Sequence, residues 1–202
     1  NDEVVQYAIR SMDKMHVPGE DRSLIAVGRH VRSKLEHEGL PISHRLRMPT
    51  SIAGLRPAVQ QLMVRLDAWR AQEQVERIVL FFNAPTSGTG YDPEGVQLIP
   101  VNLNWLQHLQ EESWQSNSLP MFDMPWEALF ADLIQEYLYA AVYRAFAASL
   151  AAENASRLSS MEAAERNIEE RLGELEQHYH QVRQRSITAE LLDIIAGAEA
   201  AE

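Results

Sequence analysis

The sequence predicts an α/β fold that is followed by one very long helix. Short apolar runs alternate with helical patterns from residue 1 to about residue 101, which is typical of a Rossmann-like, mostly parallel sheet. From residue 126 to 198 there is no proline, and the only glycines are Gly173 and Gly197. A single helix of about 70 residues, on the order of 100 Å long, therefore fits the C-terminal part of the chain.

The α/β part of the sequence contains seven predicted elements separated by turn residues. Apolar residues from Val4 to Met12 are spaced as in a helix, and "VPGEDR" ends that helix. "SLIAVG" is a short apolar strand, and "PISHRLRMP" alternates apolar and polar residues as a half-buried strand does. In chain order the predicted elements are a helix over residues 4–12, a strand over 23–28, a helix over 29–39, a strand over 41–49, a helix over 51–74, and strands over 77–82 and 96–101.

Tryptophan, asparagine, serine and proline residues mark an irregular link between the α/β part and the long helix. We therefore expect a Rossmann-like α/β domain over residues 1–101, the link over 102–124, and a long C-terminal helix over 125–202. The change in composition at Pro125 defines the second boundary.

Apolar residues in the long helix repeat at alternating spacings of three and four residues, which is the pattern of a coiled coil. Glu165 interrupts this stripe and Ser186 ends it. We name the stripe the apolar seam, and its members are Leu158, Met161, Ile168, Leu172, Leu175, Tyr179 and Val182. Since the sequence predicts no second long helix to cover the seam, we expect it to pair with a copy of itself or with a helix outside these residues.

The start of the chain leads to a similar expectation. The first predicted helix has no strand before it, although crossovers in α/β sheets run from strand to helix to strand. We therefore expect a strand to precede Asn1 in the natural protein. In a Rossmann-like order this strand lies between those at 23–28 and 77–82, so we expect a gap or an altered pairing between these two strands.

Composition argues against several classes of function. The formal net charge is -11, from 29 acidic and 18 basic residues, which disfavours binding to a nucleic-acid backbone. The absence of cysteine excludes disulfides, thiolate nucleophiles and cysteine-based zinc sites. No apolar run reaches the roughly 20 residues that a membrane-spanning helix needs. We therefore expect no direct insertion into a membrane.

Two stretches invite a ligand-binding interpretation, and neither has the pattern that the chemistry requires. The loop "NAPTSGTGYD" lacks the Lys-Ser/Thr of a phosphate-binding loop, and no helix pattern follows it, so we interpret it as a turn between two strands. His178 and His180 are two residues apart on a helix and point to nearly opposite sides, so they cannot chelate one metal ion. We expect no catalytic residues, no cofactor, no metal and no enzymatic activity.

The last turns of the long helix combine two kinds of residue. "RQRSITAELLDIIAGAEA" begins with polar residues and runs into an isoleucine-rich segment. A solvated tail would be polar throughout, and a core helix would keep a single apolar stripe. Helix geometry places Arg183, Ile187 and Glu190 on one face, and it places Gln184 and Thr188 on the adjoining face. By residue type alone these polar side chains are most often solvated on a helix surface. The mixture of polar and isoleucine-rich residues is what indicates a contact surface.

The same residues resemble a known family. "SLAAENASRLSSMEAAERNIEERLGELEQHYHQVRQRSITAELLDIIAGAEA" is similar to the C-terminal helix of the gamma subunit of F-type ATP synthases, in its Glu-Asn-Ala-x-Arg, Met-x-Ala-Ala and Arg-Gln-x-x-Ile-Thr-x-Glu-Leu motifs. "LIAVGRHVRSKLEHEG" and "VQLIPV" resemble segments of that subunit's α/β domain. "ERNIEERL" and "EYLYAAVYRAFAASL" are closer to the divergent gamma type of alternate, sodium-pumping ATPases.

The resemblance implies the central rotor shaft of an F-type ATP synthase or ATPase, which couples transmembrane proton or sodium flow to ATP synthesis or hydrolysis on the beta subunits. It implies a non-catalytic subunit whose N-terminal helix winds antiparallel to the C-terminal helix. The implied partners are the alpha and beta subunits of the catalytic ring, the epsilon subunit and the membrane c-ring. The implied location is the cytoplasmic face of the bacterial inner membrane, as a peripheral part of the complex.

The resemblance also implies contacts with the beta subunits. By match to the family's motifs, the contacting residues are Arg183, Gln184, Thr188 and Glu190, with Glu153 and Arg157 lower on the shaft. The chain departs from the family at His180, where asparagine is usual, and Gly173 costs about 1 kcal/mol in a helix interior relative to alanine. Two other interpretations stay open: a coiled-coil adaptor that homodimerises through the apolar seam, and a small-ligand-binding Rossmann-like protein.

Overall fold

The computed structural model describes residues 2–72, 75–86, 90–102, 107–108, 111, 116–118 and 121–199. Much of the predicted link, the tip of the "NAPTSGTGYD" loop and the last two residues of the helix predicted over 51–74 lie outside the described residues. The chain divides into two compact units, Asn1–Ser156 and Arg157–Glu202.

The described elements follow one another in the order that the sequence predicts. Helices α1 (Asp2–Lys14), α2 (Arg29–His37) and α3 (Leu55–Gln72) alternate with strands β1 (Ile25–Val27) and β2 (His44–Leu46), and strands β3 (Ile78–Pro85) and β4 (Tyr91–Ile99) follow. Helix α4 begins at Trp126 and ends at Glu199, so the predicted long helix is a single element. The predicted α/β fold with a long C-terminal helix is therefore confirmed.

The first pair of strands has the parallel arrangement that the sequence predicts. β1 and β2 are parallel, in a register that runs from Ile25 opposite His44 to Val27 opposite Leu46. α2 makes the crossover between them, as a parallel connection requires. Gly28 joins β1 to α2 with a φ of 97°, which favours glycine, and its N–H donates to the carbonyl of Leu46 over 2.9 Å.

The second pair of strands is antiparallel. β3 and β4 pair from Ile78 opposite Ile99 to Pro85 opposite Tyr91. Only residues 86–90 separate the two strands in the chain, and a connection of this length permits only antiparallel pairing. The described ends of "NAPTSGTGYD" lie in β3 and β4, so the stretch connects two strands, and its tip lies outside the described residues. Among the described strands, parallel pairing is limited to β1 and β2, so the expected mostly parallel sheet is a small sheet of two strands. Within the described residues β1 and β3 belong to separate sheets. This agrees with the gap that was expected between these two strands.

The larger of two core clusters joins α3, the β3–β4 pair and the first part of α4. Its best-buried side chains are Val59 on α3, Leu98 on β4 and Val142 on α4. The members on α4 recur every four residues, and they are Leu138, Val142, Phe146 and Leu150. This spacing places them on one face of the helix, so the first part of α4 belongs to the core of the first unit.

The smaller cluster attaches the two N-terminal helices to the first strand. Val4 and Val5 of α1 pack with Ala26 of β1 and Leu35 of α2. Phe81 of β3 is half-buried against this cluster, and its ring meets the ring of Tyr7 edge-on, with 6.0 Å between centroids. α1 therefore covers β1 and β3 although these strands do not pair.

Shortening Leu138 tests the contribution of the α4 face to the core. The side chain is 7% exposed, so Leu138→Ala leaves a cavity and is expected to lower the unfolding free energy by about 2–5 kcal/mol. Urea denaturation followed by far-UV circular dichroism measures the change. Leu133→Ala, at a position of the same helix that is 54% exposed, is the control and is expected to change stability by less than about 0.5 kcal/mol. Equal effects would contradict the assignment of the buried face.

Candidate partner-binding site on helix α4

In the part of α4 that belongs to the second unit, none of the described side chains is buried. From Arg157 to Leu192 nearly every residue is exposed, and the few others are half-buried. Helices of soluble proteins usually bury one face, because packing supplies most of their stability. A fully exposed stretch of this length is therefore a surface that is available to other molecules.

The apolar seam is exposed along its whole length. Its least exposed member, Val182, is 49% exposed, and its most exposed member, Met161, is 64% exposed. Soluble proteins rarely leave continuous apolar surface in water. The spacing of three and four residues matches the seam of a coiled coil, so a second helix is the type of partner that this surface fits best.

The four polar residues near the end of α4 are all exposed, and two of them are linked locally. The Thr188 hydroxyl donates to the carbonyl of Gln184 over 2.9 Å, which occupies its proton and leaves the oxygen able to accept. The Ser186 hydroxyl donates weakly to a Glu190 carboxylate oxygen over 3.5 Å. Among the described residues Arg183 has no carboxylate partner, so its guanidinium is available for a bidentate bond to another protein.

The charge along α4 changes sign near these residues. Glutamates dominate the stretch before residue 177, and one of them, Glu174, lies 3.4 Å from Arg171 as a local ion pair. Between Glu176 and Glu190, histidines aside, the only charged side chains are Arg183 and Arg185. The stretch between these two glutamates is therefore positive on an otherwise acidic helix.

Glu153 and Arg157 are distant along the chain from the four polar residues near the end of α4. Glu153 belongs to the first unit, and Arg157 begins the second. Arg157 is separated from Arg183 by roughly 40 Å along the helix axis, at 1.5 Å per residue. Both Glu153 and Arg157 also make contacts within the chain, so neither is free in this structure.

A second apolar stripe begins where the seam ends. Ile187, Leu191 and Ile194 are between 47% and 68% exposed. At about 100° per residue, this stripe is rotated by roughly 100° around the helix relative to the seam. The signal in the sequence is the spacing of five residues between Val182 and Ile187, which breaks the pattern of three and four. A partner helix that follows the seam therefore leaves the second stripe uncovered.

The structure adds two polar residues to those that the sequence predicts. Gln181 and Arg185 line a shallow groove on α4 together with Gln184, Thr188 and Leu192. Helical spacing places residues 181, 184, 185, 188 and 192 on one side of the helix. This pattern in the sequence could have identified Gln181 and Arg185. The groove gives a partner access to polar and apolar groups side by side.

Comparison with known proteins gives a consistent result. The model of the family described as "ATP synthase" matches residues 1–201. The ATP synthase gamma chain of Lachnoclostridium phytofermentans is 30% identical over 184 residues, which cover 90% of this chain and 63% of that protein. The ATP synthase gamma chain of Granulibacter bethesdensis is 29% identical over 198 residues, covering 93% and 64% respectively. The chain thus spans a little under two thirds of the length of these curated relatives.

A solved structure is also similar to this chain. A chain of the central stalk and c-ring of the Tetrahymena thermophila mitochondrial ATP synthase aligns with a TM-score of 0.49 and 19% identity, over 70% of this chain and 60% of that chain.

The environment of Gly173 predicts that alanine stabilises this part of α4. A Cβ at position 173 would meet no heavy atom within 4 Å, so Gly173→Ala is expected to gain about 1 kcal/mol of helix stability. Thermal melting followed at 222 nm measures the gain. Gly95→Ala is the contrasting variant, because its Cβ would lie 3.0 Å from the Phe81 ring, and it is expected to lower the melting temperature. A lower melting temperature for Gly173→Ala would contradict the open environment at this position.

Proposed function

The chain belongs to the ATP synthase family, and the two gamma chains described above align with most of its length. On this basis we propose that it is the central rotor shaft of an F-type ATP synthase or ATPase. The observation that carries the proposal is the exposed second unit: across residues 157–192, the described part of the helix that bears the Arg-Gln-x-x-Ile-Thr-x-Glu-Leu motif, no side chain is buried. In this role the shaft couples proton or sodium flow across the membrane to ATP synthesis or hydrolysis on the beta subunits. The shaft itself carries out no bond chemistry.

The proposed partners follow from this role. The end of α4 contacts the beta subunits through Arg183, Gln184, Thr188 and Glu190, and Glu153 and Arg157 make contacts further down the helix. The alpha subunits complete the surrounding ring, and the epsilon subunit and the membrane c-ring bind elsewhere on the protein. None of the described helices is long and apolar enough to span a bilayer. The proposed location is peripheral, at the cytoplasmic face of the bacterial inner membrane.

The proposed coupling rests on asymmetry. A single helix end presents different groups to each of three identical beta subunits, so it stabilises a different conformation in each. Arg183 donates to carboxylates and carbonyls, whereas Glu190 accepts from amides, and the two share one face of the helix. Rotation of the helix moves these groups from one subunit to the next and thereby changes which conformation is favoured.

The apolar seam has a separate part in the proposal. We propose that it packs against a second helix of the same protein, outside the 202 residues, as an antiparallel coiled coil. The exposure of all seven seam residues and the greater length of the gamma-chain relatives support this pairing. A paired shaft is stiffer than a single helix, which suits a part that transmits torque.

Removing two of the terminal contacts tests the coupling role. In the full-length protein, reconstituted with its partner subunits, Arg183→Ala combined with Gln184→Ala is expected to leave assembly intact and to lower ATP turnover at least about tenfold. The reason is that a charge-assisted hydrogen bond contributes about 1.5–3 kcal/mol. Assembly, ATP hydrolysis and ion pumping are measured separately.

The matched control is Arg166→Ala combined with Gln177→Ala, which removes the same two residue types from exposed positions outside the seam. This control is expected to retain the turnover of the unmodified complex. Unchanged hydrolysis and pumping in the Arg183 and Gln184 variant would refute these site assignments.

The exposed seam also favours a second candidate function, a coiled-coil adaptor that homodimerises. Sedimentation of the full-length protein separates the two functions, because a shaft whose seam is covered within one chain is expected to be a monomer. A dimer that Leu172→Asp and Leu175→Asp convert to a monomer would favour the adaptor instead. These positions are 55% and 63% exposed, so the substitutions disturb no packing in the single chain.

A further inference from the structure

The apolar seam contains one acidic residue. Glu165 lies four residues after Met161 and three residues before Ile168, so it occupies a position of the repeat where an apolar side chain is expected. Its side chain is exposed, as are those of its two neighbours in the seam. A helix that covers the seam would therefore remove this carboxylate from water together with the apolar side chains.

Across residues 161–169, all of them described, α4 offers no cation that can reach Glu165. The residues three and four positions away are its neighbours on the helix surface. They are Glu162, Glu169 and two apolar members of the seam. Arg166 is adjacent in sequence but lies about 100° away around the axis. Since removing an unpaired carboxylate from water is strongly unfavourable, the cation has to come from the helix that covers the seam.

The two flanks of the seam carry opposite charges. Glu162, Glu169 and Glu176 recur every seven residues, and each directly follows a seam residue. Arg171 lies on the other flank, directly before the next seam residue. In coiled coils, charges at such flanking positions pair between the helices and determine which partner binds and in which direction. The flanks of α4 therefore add a second selection to that of Glu165.

These charges select among the possible occupants of the seam. In a parallel pair of two copies, Glu165 faces the same residue of the other copy, and like charges oppose the contact. In an antiparallel pair of copies, the glutamate flank faces the glutamate flank. Residues 158–182 contain six glutamates and two arginines, so a basic helix is the complementary partner.

We propose that Glu165 fixes the register of the shaft by pairing with a lysine or arginine at a seam position of an antiparallel second helix. This helix belongs to the same protein, outside the 202 residues, and its basic flank faces Glu162, Glu169 and Glu176. The gamma-chain relatives are long enough to include such a helix, and the charges oppose a second copy. The pairing holds only if α4 forms a coiled coil within one chain, as proposed above for the shaft.

A single ion pair in an apolar seam determines the alignment of two helices. Sliding one helix by a turn places the carboxylate and the cation opposite apolar side chains, where neither has a partner. The remaining seam residues tolerate such a shift better, because one apolar side chain can replace another. Glu165 therefore contributes specificity, and the apolar residues contribute most of the stability.

Two substitutions of Glu165 in the full-length protein test the ion pair. Glu165→Lys is expected to lower the melting temperature by at least about 5 °C, because two cations then face each other in the seam. Glu165→Leu is also expected to lower it, because the cation of the second helix loses its carboxylate. Circular dichroism at 222 nm measures both.

A solvated Glu165 would give the opposite sign in both variants. Leucine would then complete the apolar seam, and lysine would pair with Glu162 and Glu169 on the same helix. A melting temperature at or above that of the unmodified protein in either variant therefore overturns the ion pair. Glu170→Lys is the matched control, because residue 170 is exposed on the side of the helix away from the seam, and it is expected to leave the melting temperature unchanged.

Photo-cross-linking identifies the residue that pairs with Glu165. A photoreactive benzoylphenylalanine replaces Met161, and the expected product joins position 161 to a segment of the same chain, outside the 202 residues, with a lysine or arginine within one turn. Replacing that basic residue by glutamate in the Glu165→Lys variant is expected to restore most of the lost melting temperature. Capture of a second copy or of another protein, no captured segment, or no restoration contradicts the ion pair.

These measurements use the isolated full-length protein and no ATP turnover. A monomer that is stabilised by Glu165→Leu contradicts the ion pair and leaves the paired shaft intact. A dimer that is captured through position 161 contradicts the paired shaft itself. Failure of the ion pair and failure of the proposed rotor function are therefore distinguished.

Discussion

Burial of one face of α4 against α3 and the β3–β4 pair is the interaction on which the first unit depends. Two strands alone are only marginally stable in water, so this pair needs helices to cover it. Val59, Leu98 and Val142 are almost completely buried where the three layers meet. The backbone N–H of Asn83 also donates to the Ser149 hydroxyl over 3.3 Å, which ties β3 directly to α4. The first part of the long helix thus belongs to the core of the first unit.

Beyond the first unit the same helix continues, and none of its described side chains there is buried. Its conformation there is supported by good helix formers, among them alanine, glutamate, leucine and arginine, and by local pairs such as Arg171 with Glu174. These contributions are small, because each exposed pair supplies only a few tenths of a kcal/mol. Covering the apolar seam would supply far more, since a fully buried leucine contributes about 1.5–3 kcal/mol. The physical chemistry of the second unit therefore favours binding to a partner.

The three surfaces of α4 differ in charge and suit different partners. Its first turns combine aromatic rings with carboxylates, its middle is rich in glutamate beside the apolar seam, and its last described turns carry Arg183 and Arg185 next to apolar side chains. A basic segment, a second helix and a surface with carboxylates and carbonyls are the complementary chemistries. Each of these surfaces therefore suits a partner of different chemistry.

The sequence by itself determined the order of the elements, the continuity of α4, the apolar seam and the family. These features depend on local periodicity, on the absence of proline and on a contiguous motif. All three can be recognised from residues that are close together in the sequence. The sequence did not determine that the four described strands form two separate pairs, because pairing depends on contacts between residues distant in the chain. Nor did it show that Leu138 to Leu150 of α4 belong to the core while Trp126 and Phe130 stay exposed. Both stretches are apolar at helical spacing, and only the positions of α3 and the strands decided which face was buried.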